Sequence, residues 1–132
     1  MILDTSALIA LIEAEPEADT FLDVIAHSSR VSISAATYVE ASIVIDSRNN
    51  PVLSRSFDTL LDDLAVTIEP VTAEQAVVAR QAYRDFGKGR QHPAQLNFGD
   101  CFSYALASTE GQPLLYKGQD FSHTDVRSAV GN

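Results

Sequence analysis

Short apolar or β-branched runs alternate along this chain with longer stretches whose apolar residues return every three to four positions, and this alternation narrows the possible folds sharply. Met1-Ile2-Leu3, Val31-Ser32-Ile33-Ser34, Val66-Thr67-Ile68 and Pro113-Leu114-Leu115-Tyr116 are too short for helices and read as strands. After the first, Leu8, Ile9, Leu11 and Ile12 have helical spacing, with Thr5 or Ser6 as the expected cap; a second helix should start at Pro16 and run to about Ala26. Helices are also expected from Ala35 to about Ser47, over Leu53 to Leu64 after the Asn49-Asn50-Pro51 break, from Thr72 to Phe86-Gly87, and over Phe98 to Thr109. Strands separated by helices join through right-handed crossovers, so the expectation is a mostly parallel central sheet flanked by helices, a three-layer α/β/α domain. A chain of 132 residues suits a single domain, 1–132, and no internal repeat interrupts it.

Other features narrow the function. No apolar run reaches the roughly 18 residues of a membrane span, and Met1 leads into Ile2-Leu3-Asp4 without a basic leader, so neither membrane nor secretion is expected. Cys101 is the single cysteine, which excludes an internal disulfide or a cysteine-rich zinc site and suggests a reducing, cytoplasmic setting; it reads as a small core residue. Eighteen acids against nine bases give a formal charge of −9, a poor field for a polyanion such as RNA. That objection lapses if several carboxylates converge on divalent cations, which reverse the local field.

In parallel sheets, sites form at the carboxyl ends of the strands. Asp4 directly follows the first strand, Asp120 follows the last after a short turn, Glu40 lies on the helix after the second, and Asp100 opens the helix after a long polar loop. Each acid alone has a plainer use: Asp4 as a helix cap, Glu40 as a rim residue, Asp100 as a complement to its helix dipole, Asp120 in a turn. Together they would repel and hold raised pKa values unless cations bound between them, and an all-oxygen set suits Mg²⁺ or Mn²⁺. The acidic stretch Glu13, Glu15, Glu17, Asp19 and Asp23 reads as solvated helix charge.

At these residues the sequence resembles the PIN-domain nucleases, and more narrowly the VapC-type toxins of toxin–antitoxin pairs. The similar segments are Ile2-Leu3-Asp4-Thr5-Ser6-Ala7, Tyr38-Val39-Glu40-Ala41, the run from Leu96 through Asn97-Phe98-Gly99-Asp100-Cys101 to Ala105, and Leu114-Leu115-Tyr116-Lys117-Gly118-Gln119-Asp120-Phe121. The resemblance implies a PIN-like fold in which Asp4, Glu40, Asp100 and Asp120 bind Mg²⁺ or Mn²⁺ and serve a metal-dependent endoribonuclease; Asp125 competes for the fourth place. In that reading a metal-activated water attacks the phosphodiester, Thr5 or Ser6 orients the water or a phosphate oxygen, and Lys88, Arg90 and His92 hold RNA phosphates. Arg80 and Arg84, four residues apart on the preceding helix, extend the basic stripe, with Arg80 read as a solvated side chain. The resemblance further implies a homodimer and a VapB-type antitoxin that blocks the toxin and alone contacts DNA.

Two rival readings belong to other classes. A phosphoacceptor receiver domain is also a small acidic α/β protein, but it needs an acidic pair after the first strand and an acceptor Asp ending the middle one; here Asp4 stands alone and Val66-Thr67-Ile68 leads into Glu69-Pro70. A PIN-like domain that binds partners without catalysis is the other.

Overall fold

The computed structural model describes residues 1–131. Its strands are β1 (Ile2–Leu3), β2 (Ser32–Ser34), β3 (Thr67–Glu69) and β4 (Leu114–Leu115), and its helices are α1 (Thr5–Ile12), α2 (Ala18–Ala26), α3 (Ala35–Asp46), α4 (Pro51–Asp63), α5 (Ala73–Phe86) and α6 (Phe98–Glu110). The strands pair in parallel in the order β3-β2-β1-β4, Ile2 standing opposite both Ser32 and Leu114. The chain therefore steps outward from β1 through β2 to β3 and then returns to the other side of β1. That reversal leaves a crevice between β1 and β4 at the carboxyl edge, where such sheets bind ligands.

Successive strand residues face opposite sides, and the core divides accordingly. Leu3 and Leu115 pack with Leu8, Phe21, Ile33, Ile45 and Phe57 from the α1–α4 layer. Their neighbours Ile2 and Leu114 pack with Ala82, Leu96, Leu106 and Phe121 on the α5–α6 side. No described helix is long and apolar enough to cross a membrane.

The helix ends follow from local chemistry, with two corrections. Asn50 caps α4 ahead of Pro51 in its first turn, and the Thr72 hydroxyl accepts from Gln75 N–H at the start of α5. The cap of α1 is neither Thr5 nor Ser6 but Asp4, whose carboxylate accepts from Ser6 N–H. A carboxylate in the extended residue just before the helix reaches that amide better than a hydroxyl already inside the first turn. Helix α2 starts at Ala18, so Pro16 lies in the turn ahead of it rather than in its first turn.

Candidate active site

The crevice gathers residues from β1, α1, α3, α6 and the segment after β4. Asp4 is only 4% exposed at the end of β1. Its Oδ2 accepts from the Ser6 amide at 3.0 Å and the Ser6 hydroxyl at 2.7 Å, and its Oδ1 accepts from the Ser103 hydroxyl at 2.6 Å. Ser6 also ties β1 to β4, because its Oγ accepts from Lys117 N–H at 2.9 Å. The cap that starts α1 thus fixes one oxygen of a buried acid, and Ser103 of α6 fixes the other.

Asp100 sits in the first turn of α6, inside a capping box: its amide donates to Asn97 Oδ1 at 2.8 Å, and its Oδ2 accepts from Asn97 N–H at 3.1 Å. The box turns the carboxyl back toward the helix N-terminus and into the crevice. Burial pushes its pKa up from 3.8 to about 8; the Asn97 amide works against this, while the charges of Asp4 and Asp120 add to it. Asp120, exposed on the turn after β4, lies close enough to share a hydrogen bond with Asp100.

Glu40 is held from two sides. Its Oε1 accepts from the Thr5 hydroxyl, the residue after Asp4, and its carboxyl lies where a side chain on Gly99, the residue before Asp100, would stand. Glycine at 99 is therefore the residue that lets α3 bring its acid up to the start of α6.

Asp125 goes elsewhere. Its Oδ1 accepts from the Tyr104 hydroxyl at 2.5 Å, and this contact holds the C-terminal segment against α6. It is Asp120 that stands beside Asp100. Lys88 and Arg90 are exposed in the α5–α6 loop and make no ion pair among the described residues, while the half-buried His92 accepts from Ala94 N–H through its Nδ1 and packs its ring edge-on against Phe86. The loop's ends are joined by Lys88 N–H to Leu96 O and Leu96 N–H to Phe86 O. Cys101 is buried, its thiol pushed up to about 11 by burial and the Asp100 charge, so it is no nucleophile at neutral pH. Ser103 and Thr37, which sequence reading passed over, lie in the buried hydrogen-bond network behind the acids. The signal was their spacing, three residues after Asp100 and three before Glu40, on the same helix faces.

Among the described residues, no three His, Cys, Asp or Glu side chains are gathered tightly enough to form a ready-made metal cage. The donor chemistry nevertheless suits a hard divalent cation: the side chains are oxygen donors, and burial beside Asp4 and Asp120 makes the charged form of Asp100 costly in a way that a neighbouring cation would relieve.

The family model of the PIN domain matches residues 1–127, and this chain belongs to that family. A ribonuclease, VapC28 of Mycobacterium tuberculosis, is 51% identical over 130 residues, 98% of each chain. Among solved structures, VapC20 of M. tuberculosis, described as a sarcin–ricin loop cleaving toxin, superposes with a TM-score of 0.70 at 22% identity, covering 96% of this chain and 98% of that one. VapBC2 from Rickettsia felis, bound to a DNA fragment from its promoter, gives a TM-score of 0.75 at 15% identity over 96% and 94% of the two chains. Family membership removes the receiver-domain reading; in the fold itself, Glu69 at the end of β3 is paired with Arg30 at 2.6 Å.

Proposed function

We propose that this chain is a metal-dependent endoribonuclease, the toxin of a toxin–antitoxin pair, with Asp4, Glu40, Asp100 and Asp120 as its Mg²⁺ or Mn²⁺ ligands. The reading rests above all on the buried Asp100 carboxyl, which meets the charges of Asp4 and Asp120 in the β1/β4 crevice, with Glu40 held against Thr5 and the start of α6. The names of the similar ribonucleases support the reaction class. A divalent ion held there would lower the pKa of a water and offset charge on the phosphoryl oxygens. Asp100 gives up its proton when the site is loaded, since a cation favours the carboxylate. Thr5 and Ser6 direct the carboxyls of Glu40 and Asp4, and Lys88 and Arg90 attract the phosphates of the incoming strand. No side-chain nucleophile is required.

The exposed apolar residues of α3, α5 and α6 suit a homodimer, and the likeness to VapBC2 of R. felis, a complex held on promoter DNA, supports a VapB-type antitoxin as the cytoplasmic partner through which any DNA contact is made. An antitoxin Arg or Lys entering among the four acids would compete with the metal.

Purified chain should cleave RNA in Mg²⁺ or Mn²⁺ and stop in EDTA, and Asp4→Asn should lower cleavage by roughly 100-fold or more while leaving the far-ultraviolet circular dichroism unchanged. Undiminished cleavage in chelator, with contaminating nuclease excluded, would remove the metal mechanism. Full activity in Asp4→Asn would reduce Asp4 to a helix cap, and parent protein inactive with either metal would favour the silent binding domain.

A further inference from the structure

Behind the acids a chain of hydroxyls runs through the interior. Thr37 on α3 and Ser103 on α6 are 1% and 0% exposed, and their oxygens lie 3.1 Å apart. Ser103 has one hydroxyl proton and directs it to Asp4 Oδ1 at 2.6 Å, so in the hydroxyl pair Thr37 must be the donor and Ser103 the acceptor. The direction is therefore Thr37 to Ser103 to Asp4. Ser6 supplies both donors on the opposite oxygen, which leaves Ser103 as the side chain bonded to Oδ1 among the described residues.

The two hydroxyls are also placed to link the acids with one another. Ser103 follows Asp100 by three residues on α6, and Thr37 precedes Glu40 by three on α3, so each lies under an acid of its own helix. One buried chain thus connects the helix of Glu40, the helix of Asp100 and the carboxylate of Asp4. We infer that Ser103, oriented by Thr37, is a positioning residue that fixes the plane of the Asp4 carboxylate against α3 and α6 and so sets the affinity of the acidic site for a divalent cation. This rests on the metal-dependent reading above. Carboxylates that bind metals depend on such outer hydrogen bonds, and losing one commonly lowers metal affinity 10–100-fold.

The test measures Mn²⁺ binding by electron paramagnetic resonance of free and bound ion, RNA cleavage as kcat and KM separately, and thermal unfolding, on full-length protein. Ser103→Ala should weaken Mn²⁺ binding about tenfold or more and lower kcat with little change in the KM for RNA. Thr37→Val, which keeps shape but removes the hydroxyl, should give a smaller loss of the same kind, and Thr37→Ser should behave like the parent. Because Thr37 acts through Ser103, Thr37→Val should add nothing in the Ser103→Ala background. If Ser103→Ala binds Mn²⁺ and turns over as the parent does, or if Thr37→Val costs as much in that background as in the parent, the chain is only a staple between α3 and α6 and the inference fails while the nuclease reading stands. A parent that neither binds Mn²⁺ nor cleaves RNA overturns both.

Discussion

At the Asp100 carboxyl two demands meet. As part of the capping box it accepts the Asn97 amide, which favours the charged form; buried and facing Asp4 and Asp120, it is pushed up to about 8. The linkage has a definite sign. A carboxyl whose folded pKa lies above its unfolded value favours folding fully below about pH 4, and that contribution is lost as the pH rises through 8. Metal-free protein should therefore melt at progressively lower temperature from pH 5 to pH 9, and Asp100→Asn, which can still cap with its amide oxygen, should flatten that slope. At pH 9 the variant should melt several degrees above the parent although it no longer cleaves RNA. Melting curves in EDTA across that range check this, and an Asn variant less stable than the parent at pH 9 would show that the charged carboxyl is not penalised. The grouping of Asp4, Asp100 and Asp120 was legible because Asp4 directly follows one strand and Asp120 follows another after a short turn. That Asp120 rather than Asp125 lies beside Asp100 was not, because it depends on the path after β4 and on a tyrosine hydroxyl that the sequence does not pair with either.

Helices and strands were readable where periodicity and caps agreed. The Thr72 cap of α5 placed that helix within a residue of its observed limits, while α4, expected from Leu53, begins two residues earlier at Pro51 because Asn50 caps it. The cap of α1 stayed open among three consecutive residues, Asp4, Thr5 and Ser6, which can all cap, and only backbone geometry selects one. Helix α6 shows how an element serves the site: the box at Asn97 starts it, and Gly99 leaves the room that Glu40 fills. Gly99→Ala should separate stability from activity. Alanine favours the helix by about 1 kcal/mol over glycine, yet its methyl occupies the place of the Glu40 carboxyl, a flexible side-chain end that can swing away. The expected protein folds at least as well as the parent and cleaves RNA at roughly a tenth of the rate or less. Parental activity would mean that Glu40 need not approach α6. The buried hydroxyls of Thr37 and Ser103 were hidden for a different reason: a Ser or Thr inside a helix more often bonds a nearby carbonyl, as Ser42 does with Tyr38 and Thr109 with Ala105.

On the scale of the whole molecule, a formal charge of −9 is distributed over a body that also exposes large apolar side chains. Helix α6 packs against both α3 and α5, and these helices present Phe98 at 80% exposure, Val77 at 70% and Ile43 at 62%. The ring of Phe98 leans edge-on against Phe102, and between α5 and α6 lies a groove of about 340 Å³ lined by Ala76, Ala79 and Tyr83 as well as these rings. Exposed apolar side chains on these helices favour self-association, whereas the like charges of two copies oppose it. The balance gives a salt dependence with a usable sign. If two copies meet on this face, raising salt screens their repulsion and strengthens the dimer, while the same salt weakens RNA binding by reducing counterion release. Sedimentation should therefore give a mass near twice the 14.3 kDa of one chain at micromolar concentration, with dissociation shifted to lower concentration as salt rises. Phe98→Glu adds a charge at the most exposed ring without touching the core, so it should yield a folded monomer at salt concentrations where the parent is dimeric. A parent that remains monomeric at tens of micromolar in high salt would leave the apolar face to another partner, and a Phe98→Glu variant that dimerises as the parent does would move the interface away from α6.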